Sequence, residues 1–305
     1  MYRFYKYTRR LYRKRWFNWR ARAILGTRKV SCNPDSNVFL LSQTHDADLI
    51  MFLIAAKSFT RFIKPKGFVV VDDGLSAKSR RILEDHLEGI QFIPSHEVDV
   101  GDCPRGGCWE RLVTISRLCI NHYIVQLDSD TVTTNTPTEV LECINMNRSF
   151  TLGTPRHAPL GRVCLPVQET SRFASDIESD HVQILAERVL EALPNAENCR
   201  YVRGCAGFTG FHRGAITIHD LEQFSSFMEK QIGREKWHEW GSEQVTSNYM
   251  IANTENPMVL PIEFYPYWKP GLDLENAQLV HFLGIHRFKG QEYVRQAQAA
   301  IRALL

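Results

Sequence analysis

The sequence has little of what marks several broad protein classes. Its 305 residues include only 13 prolines and 18 glycines, and 44% of the residues are hydrophobic, which excludes a disordered or collagen-like chain. The eight cysteines are scattered, form no CxxC pair and have no histidine at zinc-finger spacing. We therefore expect reduced thiols, as in a cytosolic protein, and no disulfide framework. The length suits one large globular domain or two small ones.

Acidic residues are missing from the first 30 positions, which carry eleven Lys or Arg residues. The rest of the chain holds 26 basic and 34 acidic side chains, so a basic segment precedes an acidic body. This asymmetry predicts a separate anionic partner for the segment, either a membrane surface or a nucleic acid. The body has no basic patch to continue a nucleic-acid track, and we therefore expect no nucleic-acid partner.

The aromatic residues of the basic segment are spaced as on one face of a helix. They are Tyr5, Tyr12, Trp16 and Trp19. Aromatic side chains above a Lys/Arg face predict that residues 1–30 form an amphipathic helix on an anionic membrane surface. Arg22 and Gly26 interrupt the short apolar stretch after Arg20, so neither a spanning helix nor a signal peptide is expected. The chain would then be cytoplasmic and peripheral on the inner face of the cell membrane. The alternative is a basic helix packed on its own domain.

From residue 37 onward, short apolar runs alternate with helical patterns. The predicted strands cover residues 37–42, 68–71, 91–93 and 122–127, and the predicted helices cover 49–62, 77–87 and 109–118. Asp46 and Ser76 are expected to cap the first two helices. This alternation predicts an α/β fold with a mostly parallel central sheet and helices on both faces.

Polar residues stand directly after the predicted strands, where parallel sheets bind ligands. They include Thr44, Asp72, Asp73, Asp128 and Asp130. No glycine-rich phosphate loop of the GxGxxG or GxxxxGK[ST] type follows any strand, which argues against a dinucleotide or P-loop site. Other groups must then neutralise any bound phosphate.

Asp128 and Asp130 enclose Ser129 at the end of the most apolar predicted strand. Two carboxylates at this spacing can hold one Mg²⁺ or Mn²⁺ ion that bridges substrate phosphates. From the tripeptide alone an Asx turn is the better interpretation, so the metal assignment depends on its surroundings.

Those surroundings resemble the nucleotide-sugar glycosyltransferases of the GT-A fold, over most of residues 37–290. The run FVVVDDGLS at 68–76 is similar to the VDDGS turn of family 2 enzymes, in which an Asp binds the nucleoside; this implies Asp72 or Asp73. Residues 109–131 resemble a family 8 segment in which an Arg stands seventeen residues before the first Asp of the DxD motif. Arg111 occupies that position; alternatively, it is a surface arginine paired with Glu110 or solvent.

Two later segments also resemble family 8. The run GSEQVTSN is similar to the DQDxxN motif, with Glu243, Gln244 and Asn248 on its first, second and last positions and Val245 in place of the third carboxylate. An alternative interpretation of this run is the start of a helix capped by Ser242.

The run HFLGIHRFK at 281–289 resembles the HxxGxxKPW element of the same family. The resemblance implies that His281 is the third metal ligand and that Arg287 replaces the lysine that contacts the diphosphate. The Pro-Trp pair is missing. Taken alone, His281 would be an ordinary interior histidine.

The resemblance implies a role for each candidate residue. The metal ligands for Mn²⁺ or Mg²⁺ are Asp128, Asp130 and His281. The donor-binding residues are Thr44, Asp72, Asp73, Arg111, Ser129, Ala206, Arg287 and Lys289, with position 206 chosen because the glycine-rich run 204–210 lets backbone approach the donor sugar. The catalytic candidates are Gln244 and Glu243, and the acceptor-binding residues are Trp240 and Asn248.

The predicted function is transfer of a sugar from a nucleotide-diphosphate donor, most simply a UDP-sugar, to a glycan or lipid-linked acceptor at the membrane surface, as in cell-surface polysaccharide biosynthesis. Retention of anomeric configuration is expected. Residues 31–305 would form a single GT-A domain, with 155–200 as an acceptor-side insertion that includes one helix over 180–193. The alternatives are a sugar nucleotidyltransferase, which lacks its expected glycine-rich loop here, and an inactive GT-A scaffold, which Val245 keeps open.

Overall fold

A computed structural model of the chain describes residues 2–154, 160–163 and 181–305. Its strands are β1 Val38–Thr44, β2 Gly67–Asp72, β3 Ile90–Pro94, β4 Tyr123–Leu127, β5 Thr131–Thr133, β6 Phe150–Leu152, β7 Gly161–Arg162, β8 Arg200–Tyr201, β9 Cys205–Phe211, β10 Met258–Leu260 and β11 Leu279–His281. Its helices are α1 Tyr2–Ala21, α2 Leu49–Phe59, α3 Ala77–His86, α4 Trp109–Leu118, α5 Thr138–Asn145, α6 Val182–Val189, α7 Ile218–Ile232, α8 Arg234–Trp237, α9 Ser242–Ala252 and α10 Glu292–Arg302.

Seven of the described strands form one sheet in the order β10, β6, β9, β4, β1, β2, β3. Among them β9 runs antiparallel to its neighbours β4 and β6, and the other pairings are parallel. The α/β fold with a mostly parallel sheet is therefore confirmed, and the four predicted strands agree with the observed ones within two residues. The carboxyl ends of β1, β2 and β4 meet at one edge of the sheet, and the start of β9 joins them there.

Both faces of the sheet are buried, because successive side chains of β1 enter two different cores. Val38 and Leu40 belong to the core that also contains residues of α2 and α10. Phe39 and Leu41 belong to the core formed with α4, α6, α7 and α9. Burial on both faces explains why the strands are continuous apolar runs.

The predicted helix caps fare differently. Ser76 caps α3, because its hydroxyl accepts a hydrogen bond from the Ser79 amide. The prediction for Asp46 is wrong. Its carboxylate accepts a hydrogen bond from the Ser76 amide at 2.7 Å and so ties the start of one helix to the loop before the next.

The predicted insertion falls in part outside the described residues, which omit 155–159 and 164–180. The helix predicted over 180–193 is shorter than expected, since α6 ends at Val189 and a tight 3₁₀ turn covers Leu190–Ala192. This helix carries residues of the candidate site.

The described cysteines are free thiols, as the sequence predicts. Burial raises the pKa of Cys119 to about 11 and that of Cys103 to about 12, the latter with a contribution from Glu222. These thiols stay protonated at neutral pH and are therefore poor nucleophiles.

The N-terminal helix α1 packs on the body through residues outside the predicted membrane-facing aromatic stripe. Phe17, Ala21 and Ile24 are fully buried, and the ring of Phe17 stacks on that of Tyr293 in α10 at 4.1 Å. Trp19, from the predicted aromatic face, is 58% exposed. One face of the segment therefore belongs to the core, as the alternative interpretation expects, and aromatic side chains remain on the opposite face. Among the described residues, no helix combines the length and apolar character needed to cross a membrane.

Candidate functional site

The site begins with a turn that follows β4. The Asp128 amide donates to the Gly207 carbonyl at 2.8 Å, which ties the turn to β9. The chain then enters β5, which pairs antiparallel with β11 so that Thr131 lies opposite His281. The Phe282 amide donates to the Asp130 carbonyl at 2.8 Å. This short two-stranded ribbon places residues far apart in the sequence next to each other.

The structure brings the three predicted metal ligands together. Nε2 of His281 lies 3.1 Å from Oδ1 of Asp130 and 3.9 Å from Oδ2 of Asp128. One ligand atom from each residue can be chosen so that all lie within 4.8 Å of one another. Ligand atoms around a small divalent ion held at about 2.1 Å are roughly 3 Å apart. Two carboxylates and one imidazole at these distances can hold a divalent metal ion.

The outer oxygens of both carboxylates are held by arginines. Nη1 of Arg111 donates to Oδ1 of Asp128 at 2.6 Å, and Nη2 of Arg287 donates to Oδ2 of Asp130. The remaining oxygen of each carboxylate faces His281. The two arginines therefore fix the carboxylates while leaving the inner oxygens and Nε2 to a common ligand.

Gly207 leaves room for the His281 ring and the Asp128 carboxylate to lie against β9. A Cβ atom at this position would lie 2.2 Å from Cε1 of His281 and 3.0 Å from Oδ2 of Asp128. The glycine-rich run was predicted to let backbone approach a donor, and Ala206, the position chosen within it, is buried beside Gly207 in β9. The sequence alone does not single out Gly207, because several glycines are close together there.

Burial and charge shift the pKa values of the cluster in opposite directions. Burial raises the pKa of Asp128, with Arg111 acting against it. For Asp130 burial acts upward too, but the charges of His281 and Arg287 bring its pKa below the usual value. Burial would lower the pKa of His281, yet Asp130 raises it well above the usual value. The opposite shifts of Asp130 and His281 therefore reflect the ion pair between them, and a metal ion that binds Nε2 must displace the histidine proton.

Arg111 is not the surface residue that the alternative interpretation supposed. Its side chain is buried, and besides Asp128 it donates to Oε1 of Glu243 at 3.1 Å. Burial raises the pKa of Glu243 despite this partner. Arg111 thus joins the turn after β4 to the start of α9.

Glu243 and Gln244 occupy different environments although they are adjacent. Glu243 is buried against Arg111, whereas Gln244 lines a cavity of about 390 Å³ beside the cluster. The cavity is lined by Thr154, His181, Gln183, Ile184, Arg203, Gly204, Cys205, Gln244, Tyr267 and Leu283. The sequence prediction missed several of these residues. Tyr267 lies in the aromatic run 264–268, and that run was the available signal.

Tyr267 and Cys205 connect the cavity to the cluster. The ring centroid of Tyr267 lies 5.8 Å from that of His281, and Sγ of Cys205 is 3.9 Å from Nδ1 of the same histidine. The Tyr267 hydroxyl is buried without a hydrogen-bond partner among the described residues. A polar group on a bound molecule could pair with it.

The residues after β1 and β2 lie at the same edge of the sheet. Ser129 donates through its hydroxyl to that of Thr44 at 3.3 Å, and both are buried. Asp72 is occupied by its own turn, since it accepts from the Leu75 amide at 2.6 Å and pairs with Arg80. Asp73 is exposed. Of the two aspartates, Asp73 is therefore the one available to a ligand.

The other predicted residues are spread more widely. Trp240 is 70% exposed and meets the His181 ring edge-on. Asn248 is fully buried and donates to the Gly204 carbonyl at 3.1 Å, so its amide links α9 to the chain before β9. Nζ of Lys289 lies 3.4 Å from Nδ1 of His286.

The predicted cap at the start of α9 is wrong. The N-cap is Gly241, at φ 113°, and no side chain of the described residues caps the helix. The Ser242 hydroxyl instead accepts from Nε1 of Trp109 at 2.9 Å and donates to the Glu239 carbonyl. This bond anchors the start of α9 to α4, the helix that carries Arg111.

Comparisons with known proteins show the fold. No protein-family model matches the sequence, and no curated protein matches it. Among solved structures, the apo structure of the bifunctional glycosyltransferase WbbM is similar at a TM-score of 0.53 and 14% identity, covering 88% of this chain and 50% of that one. The galactosyltransferase LgtC, in complex with donor and acceptor sugar analogues, is similar at a TM-score of 0.51 and 13% identity, covering 88% of this chain and 100% of that one.

This chain therefore spans half the length of WbbM and the full length of LgtC. At such low identity the likeness shows the fold alone. The chain has the GT-A fold, as its motifs predict.

Proposed function

We propose that this protein is a metal-dependent glycosyltransferase that moves a sugar from a nucleotide-diphosphate donor. One observation carries the proposal. In a GT-A fold, Asp128, Asp130 and His281 converge at the carboxyl edge of the sheet, with Arg111 and Arg287 on the outer oxygens. The site thus combines ligands for a divalent ion with cations that suit a diphosphate.

The chain's own residues account for most of the required chemistry. Asp128, Asp130 and His281 would hold the Mn²⁺ or Mg²⁺ ion. The ion, when bound, neutralises charge on the departing diphosphate. Arg287 would leave Asp130 in part to donate to phosphate oxygens, because a guanidinium can donate to two acceptors at once. Asp73, exposed at the same edge, would contact the nucleoside of the donor, which we propose to be a UDP-sugar.

We propose retention of configuration, with Gln244 rather than Glu243 beside the reacting carbon. An inverting enzyme needs a carboxylate base that can reach the acceptor hydroxyl. Glu243 is engaged by buried Arg111, whereas Gln244 lines the cavity. An amide oxygen there can stabilise a developing oxocarbenium ion. NMR of the product's anomeric proton tests this, and an inverted product combined with an inactive Glu243→Gln variant would assign the role to Glu243.

We further propose that the acceptor is a glycan or lipid-linked sugar presented at an anionic membrane surface, on the cytoplasmic side. Helix α1 supports this. Its buried face is fixed to the body by Phe17, while Leu11, Tyr12 and Trp19 stay exposed among basic residues. Aromatic and basic side chains together are typical of helices that lie in the headgroup region.

The decisive experiment is donor turnover across UDP, GDP, CMP and dTDP sugars, with and without Mn²⁺. We expect release of nucleoside diphosphate from one donor class only when the ion is present, and no turnover in EDTA. Full activity in EDTA would remove the metal from the proposal. Release of pyrophosphate from a nucleoside triphosphate and a sugar phosphate would indicate a nucleotidyltransferase. Ion binding without turnover of any donor would indicate an inactive scaffold.

A further inference from the structure

Two glutamines and a glutamate form a chain of hydrogen bonds behind the cavity. Nε2 of Gln244 donates to Oε1 of Gln183 at 3.2 Å, and Nε2 of Gln183 donates to Oε1 of Glu187 at 3.0 Å. Gln244 belongs to α9, and the other two belong to α6. Both glutamines line the cavity, whereas Glu187 is fully buried behind them.

Glu187 ends this chain of hydrogen bonds, and its carboxylate is held in place by two further partners. Arg203 donates to it through Nε at 2.8 Å and also through Nη2, and the Tyr201 hydroxyl donates at 3.1 Å. A carboxylate paired with a guanidinium in this two-pronged way is ionised and accepts hydrogen bonds without donating any. Gln183 must therefore turn its NH₂ group toward Glu187.

That constraint determines the orientation of the next amide as well. An amide side chain has one accepting end and one donating end. Because its NH₂ group donates to Glu187, Gln183 presents its side-chain oxygen to Gln244. Gln244 must therefore donate to that oxygen through its own NH₂ group. Oε1 of Gln244 then makes no hydrogen bond within the described residues, and it is available to a molecule in the cavity. If either amide turned over, like atoms would face each other and a shielded polar group would lose its partner.

We propose that Glu187, acting through Gln183, orients the Gln244 amide so that its oxygen faces the donor sugar. Glu187 and Gln183 are positioning residues, and the proposal rests on the proposed function of the site. It also explains why a buried ion pair lies beside a sugar-sized cavity: the carboxylate supplies the direction of the amide chain, which a neutral side chain with both donor and acceptor ends would not.

The first test replaces Gln183 with methionine, which keeps the length of the side chain and leaves Glu187 with Arg203 and Tyr201. The Gln244 amide is then free to turn, so we expect kcat for donor turnover to fall by about tenfold or more. The donor KM should stay within about twofold, because the ion and diphosphate contacts are unchanged. Gln223→Met, the same exchange at an exposed position of α7, should leave both constants unchanged. An unchanged kcat in Gln183→Met would overturn the proposal.

Glu187→Gln tests the end point itself. The new amide can donate to Gln183, which would reverse both glutamines and present an NH₂ group to the cavity. We expect the same loss of kcat as in Gln183→Met, although residue 187 does not line the cavity. If Glu187→Gln fails to fold, the Gln183→Met result decides. A folded Glu187→Gln variant with the wild-type kcat would overturn the proposal.

A third measurement needs no turnover. In ¹⁵N-labelled protein, the side-chain NH₂ signals of Gln244, assigned by their loss in Gln244→Leu, should exchange slowly with solvent in the wild type and rapidly in Gln183→Met. Rapid exchange in the wild type would overturn the orientation. If the wild type turns over no nucleotide sugar while this exchange pattern holds, the proposed function fails and the amide orientation stands.

Discussion

Two buried charged centres of this molecule compensate charge in different ways. At the candidate site each carboxylate has a cation beside it: Arg111 lies on Asp128 and Glu243, and Arg287 and His281 lie on Asp130. Pairing offsets much of the cost of taking these charges out of water. The carboxylates can thus be both buried and ionised, which is the state in which they can bind a metal ion, whereas His281 can bind one only as a neutral imidazole.

The second centre lies where α1 joins the body. The Lys57 side chain on α2 is fully buried, and its Nζ donates to Oγ1 of Thr27 at 2.8 Å and to the Arg28 carbonyl at 2.6 Å, with Nδ1 of His86 at 2.9 Å. None of these partners is a carboxylate, and burial lowers the pKa of Lys57 to about 8. Where a charge has no counter-charge, the protein adjusts by giving up the proton more easily.

The largest effect is expected at the paired centre. Asp130→Asn keeps the shape of the side chain but removes the charge between His281 and Arg287. We expect ion-dependent donor turnover to fall by at least about 100-fold, because loss of a mere outer partner of a metal site already costs about 10-fold to 100-fold. Turnover and Mn²⁺ binding by calorimetry measure it. Asp99→Asn, with an 85% exposed side chain, is the matched control, and retained Mn²⁺ affinity in Asp130→Asn would contradict the assignment.

A smaller effect is expected when a single methyl group fills the space between the proposed ligands. In Gly207→Ala the new methyl group would lie between His281 and Asp128, so we expect Mn²⁺ affinity to fall by about 10-fold to 100-fold through displacement of ligands without any change of charge. Calorimetric titration measures it. Gly26→Ala, at a position with open space around it, should bind as the wild type does. Equal affinity in Gly207→Ala would show that the ion lies elsewhere.

At the unpaired centre the expected effect is on stability. The pKa of Lys57 in the folded protein, about 8, lies below its ordinary value of 10.5, so the unfolded chain holds the proton more tightly. Between these two values folding becomes more favourable as the pH rises, by roughly 1 to 3 kcal/mol. Lys57→Met removes this gain.

The measurement compares urea unfolding of wild type and Lys57→Met from pH 7 to pH 10.5. The difference between the two proteins is used because buried thiols and phenols titrate in the same range in both. The wild type should gain stability relative to the variant as the pH rises. A difference that stays constant with pH would mean that the Lys57 pKa is ordinary.

The smallest effect concerns the exposed face of α1. Trp19→Ser should weaken binding to anionic vesicles by roughly tenfold or less, the loss of one partly buried aromatic side chain, and should change unfolding free energy by less than about 0.5 kcal/mol. Phe17→Ser, two residues earlier, should instead destabilise the fold by several kcal/mol. Vesicle sedimentation and thermal unfolding measure the two effects. Unchanged sedimentation of Trp19→Ser would oppose a membrane role for this face.

The contrast between Phe17 and Trp19 also shows why deletion of the whole segment is a poor test of membrane binding. Deletion of residues 1–30 would leave an intact body if the segment were only a surface anchor. Because Phe17, Ala21 and Ile24 are part of the main core, the deletion would expose apolar surface and destabilise the body. Single substitutions on the exposed face separate anchoring from folding.

The sequence predicts the fold well where one physical rule dominates. Strands buried on both faces have to be apolar, and polar residues must follow them, so the positions of β1, β2 and β4 are visible as runs such as FVVV. The buried stripe of α1 is harder to predict, because no single rule selects it. Its aromatic residues repeat at helical spacing, but the spacing does not say whether Phe17 or Trp19 is buried. The contact of Phe17 with α10 decides which of the two enters the core.

The candidate site likewise has features that the sequence predicts and features that it does not. The convergence of Asp128, Asp130 and His281 could be predicted because candidate metal ligands form short, recognisable patterns. The bonds from Arg111 to Glu243 and from Gln244 to Gln183 could not, since they join elements whose packing follows from the whole fold. The space at Gly207 was equally hidden, because a missing side chain has meaning only once its neighbours are in place.

The ribbon of β5 and β11 has a consequence for the order in which a nascent chain acquires its properties. Synthesis proceeds from the N-terminus, and once Leu260 has been made the chain contains all strands of the seven-stranded sheet among the described residues. His281 and Arg287 are translated later. A partly synthesised chain can therefore contain every strand of the central sheet while still lacking the third proposed metal ligand, so metal binding would come only after the sheet is complete.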